Sequence, residues 1–181
     1  WLYGLSGDDQ FQVTGELGGR GRFRLPADGP VTGQAHIDAT PGRIRFAFGD
    51  DPRDLLAWSR LATQVELAAD GGAEIDAVLE LSPAGQLLAR ISTTPVDGTT
   101  AVAGEIDVDL PDLGFLELLS PELVQPVGRL HGQLQLAGTL AAPEPAGELL
   151  LEGFGVELPT AGLRLRDSSL AMRSAAAGRI E

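Results

Sequence analysis

Along most of the chain, apolar and polar residues alternate with a period of two, the spacing of a strand with one greasy and one wet face. The stretch "GRLHGQLQLAGTL" shows it best. Gly128, Leu130, Gly132, Leu134, Leu136, Gly138 and Leu140 fall on one side, with Arg129, His131, Gln133, Gln135, Ala137 and Thr139 between them. Phe11, Val13, Gly15 and Leu17 share a side, and Gly21, Phe23 and Leu25 alternate with Arg20, Arg22 and Arg24. The pattern continues through Val31, Gly33, Ala35 and Ile37, then Ile44, Phe46 and Phe48, then Thr63, Val65 and Leu67. It resumes in Ile75, Ala77, Leu79 and Leu81, in Leu87, Ala89 and Ile91, and in Gly104, Ile106, Val108 and Leu110. After "AAPEPAG" come the pairs Leu149 and Leu151, Val156 and Leu158, Leu163 and Leu165, and Leu170 and Met172. About a dozen short strands at roughly 8–12-residue spacing predict an all-β chain of antiparallel meanders.

Two stretches break the period and predict short amphipathic helices. In "DDPRDLLAWSRLA", Asp51 stands as an N-cap and Pro52 at the first helical position, with Leu55, Trp58 and Leu61 spaced by three. In "LPDLGFLELLSPEL", Asp112 stands as the cap and Leu113, Leu116, Leu119 and Leu123 line one side, with Pro121 placed to end the helix. Neither is long enough to stand alone, so each is expected to lie on an apolar surface. The second directly precedes the Gly128 strand. It is expected either across the mouth of the apolar face, as a partial lid, or at one end of the sheet, protecting an edge.

Glycine changes the picture of that apolar face. The chain has 24 glycines in 181 residues, against roughly 7% in ordinary globular chains, while aromatic residues make up only 5%. A filled interior packs to about 0.75 density, which demands bulk. Here nearly every inward row holds Gly or Ala. A closed β-sandwich with mutually filling faces is one reading. The other is a strongly curved sheet in which the missing side chains bend the strands and leave room for a molecule that is not protein.

Charge and chemistry narrow the function. The net charge of −13 argues against nucleic acid and against docking on an anionic membrane surface. No run approaches the roughly 18 apolar residues of a membrane span, and the opening "WLYGLSGDDQFQV" reads as the middle of a protein, so a fragment of a longer chain is expected. His36 and His131 sit on polar sides without a second ligand at metal spacing. Glu105, Asp107 and Asp109 share a face, as do Glu74, Asp76 and Glu80. They are expected to pair across strands with arginines such as Arg20, Arg22 and Arg24 rather than to perform acid–base chemistry. Gly18, Gly19 and Gly21 lack the following helix and lysine of a phosphate loop, and without Cys there is no thiol nucleophile. No credible active site emerges, so a non-enzymatic protein without a cofactor or metal is expected.

The stretch from Gly128 to Met172 resembles the TamB family, the periplasmic component of the translocation and assembly module, and more widely the AsmA-like proteins. The shared order is a Gly-x-Leu-x-Gly-x-Leu-x-Leu-x-Gly-Thr-Leu strand, then Ala-Pro, a Gly-started strand, a second apolar pair ending in Leu-Pro, and Gly-Leu-x-Leu. The resemblance is clearest over Asp109 to Met172, helix included; Glu144, Pro145 and Ala146 depart from the apolar residue usual before the second Gly. It implies an elongated, mostly antiparallel sheet folded into a U around a hydrophobic groove, with residues 1–181 as one segment of a periplasmic protein anchored in the inner membrane of a Gram-negative bacterium. Carried over by position, the groove lining would be Leu130, Leu134, Leu136, Leu140, Leu149, Leu151, Val156, Leu158, Leu163 and Leu165. Alternation alone adds Phe11, Val13, Phe23, Ile44, Phe46, Phe48, Ile106, Val108 and Leu110.

The function expected from both lines is a groove that conducts or binds phospholipid acyl chains between the two membranes. The family's outer-membrane partner, the barrel TamA, is implied with it. The alternative is a chaperone or scaffold for nascent outer-membrane β-barrel proteins, using an open sheet edge for strand addition. A polysaccharide-binding fold is disfavoured, because sugar platforms expose aromatics and the nine here fall mostly on inward positions or in the predicted first helix.

Overall fold

The computed structural model describes residues 11–48, 51–120, 122–175 and 179–180. Twelve strands form one sheet: β1 (Phe11–Thr14), β2 (Leu17–Arg24), β3 (Thr32–Ala39), β4 (Gly42–Phe48), β5 (Asp51–Leu67), β6 (Ala73–Leu81), β7 (Gln86–Val96), β8 (Thr99–Leu110), β9 (Val124–Thr139), β10 (Ala142–Leu158), β11 (Leu163–Ala175) and β12 (Arg179–Ile180). From β5 onward each strand pairs antiparallel with the next in sequence. At the other side β4 and β3 lie end to end along β5, with β1 paired to β4 and β2 to β3. The sheet curls without closing on itself, as an open, taco-like sheet.

The registers sort the residues into two faces, because directly opposed residues point to the same side of a sheet. One apolar row runs Leu17, Ala39, Leu61, Leu79, Leu87, Val108, Gly132, Leu149, Met172 across nine strands. The next runs Gly19, Ile37, Thr63, Ala77, Ala89, Ile106, Leu134, Gly147. The opposite face carries rows such as Arg20, His36, Gln64, Asp76, Arg90, Glu105, Gln135.

A crease crosses the sheet near one end. β1 gives way to β2 at Gly15–Glu16, and β3 to β4 at Thr40–Pro41. β5 carries an extra residue at Ser59, and β9, β10 and β11 have positive-φ residues at Gln125, Gly153 and Asp167 beside their register shifts. Bulges of this kind bend a strand and re-aim the residues beyond the bend. Most of the small core lies on this side: Leu55, Leu110, Leu113 and Val156 are buried there, and Val102 is buried elsewhere in the sheet.

The crease overturns the first predicted helix. Residues 51–67 form the 17-residue strand β5. Ser59 has no opposite number where Trp58 faces Leu81 and Arg60 faces Glu80, so Trp58 and Leu61 share a face at a spacing of three. A second shift at Leu55, between the Ile44–Leu56 and Arg45–Asp54 pairs, adds to the helical appearance. Pro52 stands at the start of the strand, where a missing N–H is tolerated. The second predicted helix is a single turn, α1 (Leu116–Leu119). Asp112 is not its cap: its Oδ1 accepts the Gly114 N–H at 2.8 Å in the preceding turn.

The inward glycines also differ from expectation. At Gly132, φ is +150°, and a Cβ there would run into the Glu148 carbonyl oxygen and stand 3.0 Å from the Leu149 Cα. At Gly147, φ is +141°, and a Cβ would run into the Gln133 carbonyl oxygen. The room left by these side chains is filled by the backbone of the neighbouring strand. These glycines serve curvature and close strand approach, not vacancy for a ligand.

Candidate functional site

The apolar face is the candidate site, and the registers bring most of its expected lining together. Val13, Phe23, Ile44, Ile106, Val108, Leu110, Leu130, Leu134, Leu136, Leu149 and Leu151 all lie on it. Past the bulges of β10, Val156 opposes Leu165 and Leu158 opposes Leu163, on the side away from the Glu157–Arg164 pair. Leu140 falls outside the strands: it sits in the two-residue turn between β9 and β10, 61% exposed. The backbones of Phe11 and Phe46 pair with each other, and that of Phe48 with Asp51; their side chains lie outside the described residues. The central strands contribute Val65, Ile75, Leu79, Leu87 and Ile91, which alternation marks but the candidate lining leaves out, and Leu61, expected in the first helix. Phe154, hidden from period-two reading by the bulge at Gly153, joins the face opposite Ser168.

Among the described residues little covers this face. The residues of its central rows are half-buried, and Val13, Leu17, Phe23, Ile37, Leu163, Leu170 and Met172 are each at least 40% exposed. The second-helix segment lies at the crease end. Leu113 is 3% exposed, Leu116 and Leu123 are half-buried, and the Leu119 side chain lies outside the described residues. The Glu117 carboxylate accepts the Gln125 N–H at 2.7 Å, which fastens α1 to the start of β9.

The polar face is laced by ion pairs between adjacent strands: Arg90 with Asp76 at 3.1 Å, Arg129 with Asp109 at 2.9 Å, and Arg173 with Glu148 at 2.8 Å. Gln133 donates to the Glu105 carboxylate. Arg45 and Arg43 clamp Asp54 at 2.6 and 3.2 Å, and the Arg45 hydrogen bond is the main reason the Asp54 carboxyl lies below its ordinary range. The arginine ladder of β2 departs from expectation. Arg20, Arg22 and Arg24 face His36, Gln34 and Thr32, not acids. His36 lies 3.5 Å from Asp38, and His131 lies 3.7 Å from Glu152. Among the described residues no group of three or more His, Asp or Glu is gathered as a metal site. Two shallow depressions, of about 250 and 460 Å³, are lined mainly by polar-face residues, including Arg60, Asp76, Arg90 and Glu105 in the first and Arg20, Arg22 and Gln34 in the second.

Among the described residues no helix is long and apolar enough to cross a membrane. No curated protein and no solved structure matches the chain. The family profile described as TamB, N-terminal domain, matches residues 7–151. It takes in β1 to β8 in full, where alternation is the sole signal read from the residues, and stops short of β11. The family is periplasmic and anchored in the inner membrane, and it acts with the barrel TamA in outer-membrane assembly. With most of its length inside that match, the chain belongs to the TamB family and has its role in the translocation and assembly module.

Proposed function

We propose that the apolar face is a non-catalytic surface along which phospholipid acyl chains are held or passed between the inner and outer membranes. One observation carries the reading: a face continuous across the sheet presents leucine, isoleucine and valine that the described elements leave half-exposed. Soluble monomers rarely expose contiguous apolar patches beyond a few hundred Å² unless something else covers them. An acyl chain laid on such a surface gains about 0.8 kcal/mol per buried methylene. Walls of similar aliphatic side chains offer no single deep site, so a chain can slide. Mass spectrometry of the purified protein tests this. Co-purifying phospholipid, lost on charge insertion at Leu134, is expected; a lipid-free protein that takes up no fatty acid would refute it.

The second reading, a scaffold for nascent outer-membrane strands, draws on the open edge of β2, which no described strand occupies. Lipid uses the floor of the face, whereas strand addition uses that edge.

A further inference from the structure

Between β5 and β7 the apolar face is not level. Its middle row is small: Thr63 faces Ala77, and Ala77 faces Ala89. The rows beside it are branched and larger, with Leu61, Leu79 and Leu87 on one flank and Val65, Ile75 and Ile91 on the other. Across the strands the middle row ends at Ile37 on β3 and at Ile106 on β8. Strand geometry sets the two flanking rows about 13 Å apart, and puts Ile37 and Ile106 about 19 Å apart. The ladder is unbroken through these residues, so each small side chain projects from the face. None gives its place to a neighbouring backbone, as happens at Gly132 and Gly147. The result is a shallow furrow that runs across the strands and is stopped at both ends.

We infer that this furrow seats a single acyl chain lying across β5, β6 and β7, with Ile37 and Ile106 as its end stops. The inference rests on the acyl-chain reading above and adds the place, the direction and the capacity of one chain. The hydrocarbon core of a bilayer is about 30 Å thick, so one acyl chain reaches about 15 Å, which fits between the stops. A helix, about 10–12 Å across with its side chains, is wider than the gap left between the flanking side chains. An extended peptide is narrow enough, but it carries polar N–H and C=O groups along its whole length. β5, β6 and β7 are hydrogen-bonded on both sides, so their backbones offer no partners in return. On the floor of the furrow the Thr63 hydroxyl is the sole polar side-chain group. Burying peptide groups unpaired is costly, and an unbranched hydrocarbon has none to bury. The seat is shallow, so it slows a sliding chain and does not trap it.

A fatty acid carrying a diazirine near its methyl end, photolysed on the whole chain and mapped by peptide mass spectrometry, locates the seat. Labels on the furrow and its flanks in β5, β6 and β7 are expected, with none on Leu67, Ala73 and Thr93 one row beyond. Filling the floor with A77L/A89L should displace about two methylenes of contact and weaken binding of a fluorescent fatty acid on the order of tenfold. A62L and A103L, on the opposite face of β5 and β8, should bind as wild type does. I106A should let labels spread to Leu134, its neighbour on β9. Circular dichroism checks that each variant folds, and the wild-type label map decides the matter should A77L/A89L unfold. Labels scattered over the whole face, or equal binding by A77L/A89L and wild type, overturn the seat and leave the acyl-chain reading standing. A wild type that takes up neither fatty acid refutes that reading and the seat with it.

Discussion

The indole of Trp58 lies over Gly42, its cross-strand neighbour, and donates its N–H to the Thr40 carbonyl at 2.9 Å. A Cβ on Gly42 would run into that ring and into the Thr14 carbonyl. Three segments are thus fastened at the crease: β5 through Trp58, the β3–β4 junction through Thr40, and the β1–β2 junction through Glu16, whose N–H donates to Thr40 Oγ1 at 2.8 Å. Gly42→Ala should therefore destabilise the fold by about 1–3 kcal/mol through overpacking. Trp58→Phe should cost about 1 kcal/mol more than its lost area explains, because the Thr40 carbonyl loses its donor. Chemical denaturation of the two variants measures both.

How much of this was legible in the sequence differs from residue to residue. The alternation of Ile106, Val108 and Leu110 against Glu105, Asp107 and Asp109 is intrinsic to β8 and survives into the structure unchanged. The spacing of Leu55, Trp58 and Leu61 is equally intrinsic but ambiguous, since one extra residue in a strand turns a period of two into an interval of three. Phe154 is hidden for the same reason. The partners of Arg20, Arg22 and Arg24 are not local information at all. They depend on which strand lies beside β2, and three arginines read identically whether acids or neutral residues face them.

The glycines separate curvature from spare room. Gly147→Ala forces a side chain into a φ of +141° and into the Gln133 carbonyl, and should cost about 1–3 kcal/mol. Gly19→Ala meets nothing closer than the His36 carbonyl at 3.9 Å and should stay within about 0.5 kcal/mol of wild type. Equal costs in urea titrations would remove the distinction.

Leu134→Arg tests whether the apolar face is open. Leu134 is half-buried, opposite Ile106 and Gly147. On an open face the guanidinium leans outward and stays hydrated, so a loss of about 1 kcal/mol is expected, together with a fall in bound lipid. In a closed core the same charge would cost about 3–5 kcal/mol. A collapse of the melting temperature would therefore count against an accessible surface.

Asp54 gives the crease end an acid-sensitive contact. The Arg45 hydrogen bond, aided by the charges of Arg45 and Arg43, holds its carboxyl below the ordinary value of 3.8. A carboxyl lowered by folding contributes stability that is present above its unfolded value and is lost as pH falls through the folded one. Wild type should therefore lose more melting temperature than Asp54→Asn between about pH 5 and pH 3. Parallel acid limbs would show that the clamp contributes nothing, and high salt should shrink any difference, since all three side chains are exposed to solvent.

The segment from Leu113 to Leu123 offers the sharpest choice between a lid and an end cap. A lid must be displaced by lipid, so its attachments should be few and over the apolar face. The structure instead buries Leu113 where β8 ends and ties Glu117 to the Gln125 amide where β9 begins. α1 has a single turn, too short to persist without those contacts. It is fastened where β8 stops while β9 and β10 continue past the crease, so its removal would uncover strand ends. Replacing Leu116 and Leu119 together by Ser should accordingly leave fluorescent fatty-acid uptake within error of wild type while oligomers appear in sizing chromatography. Raised uptake by a protein that stays monomeric would reverse the assignment, because only a segment competing with lipid for the same wall yields more binding when it is loosened.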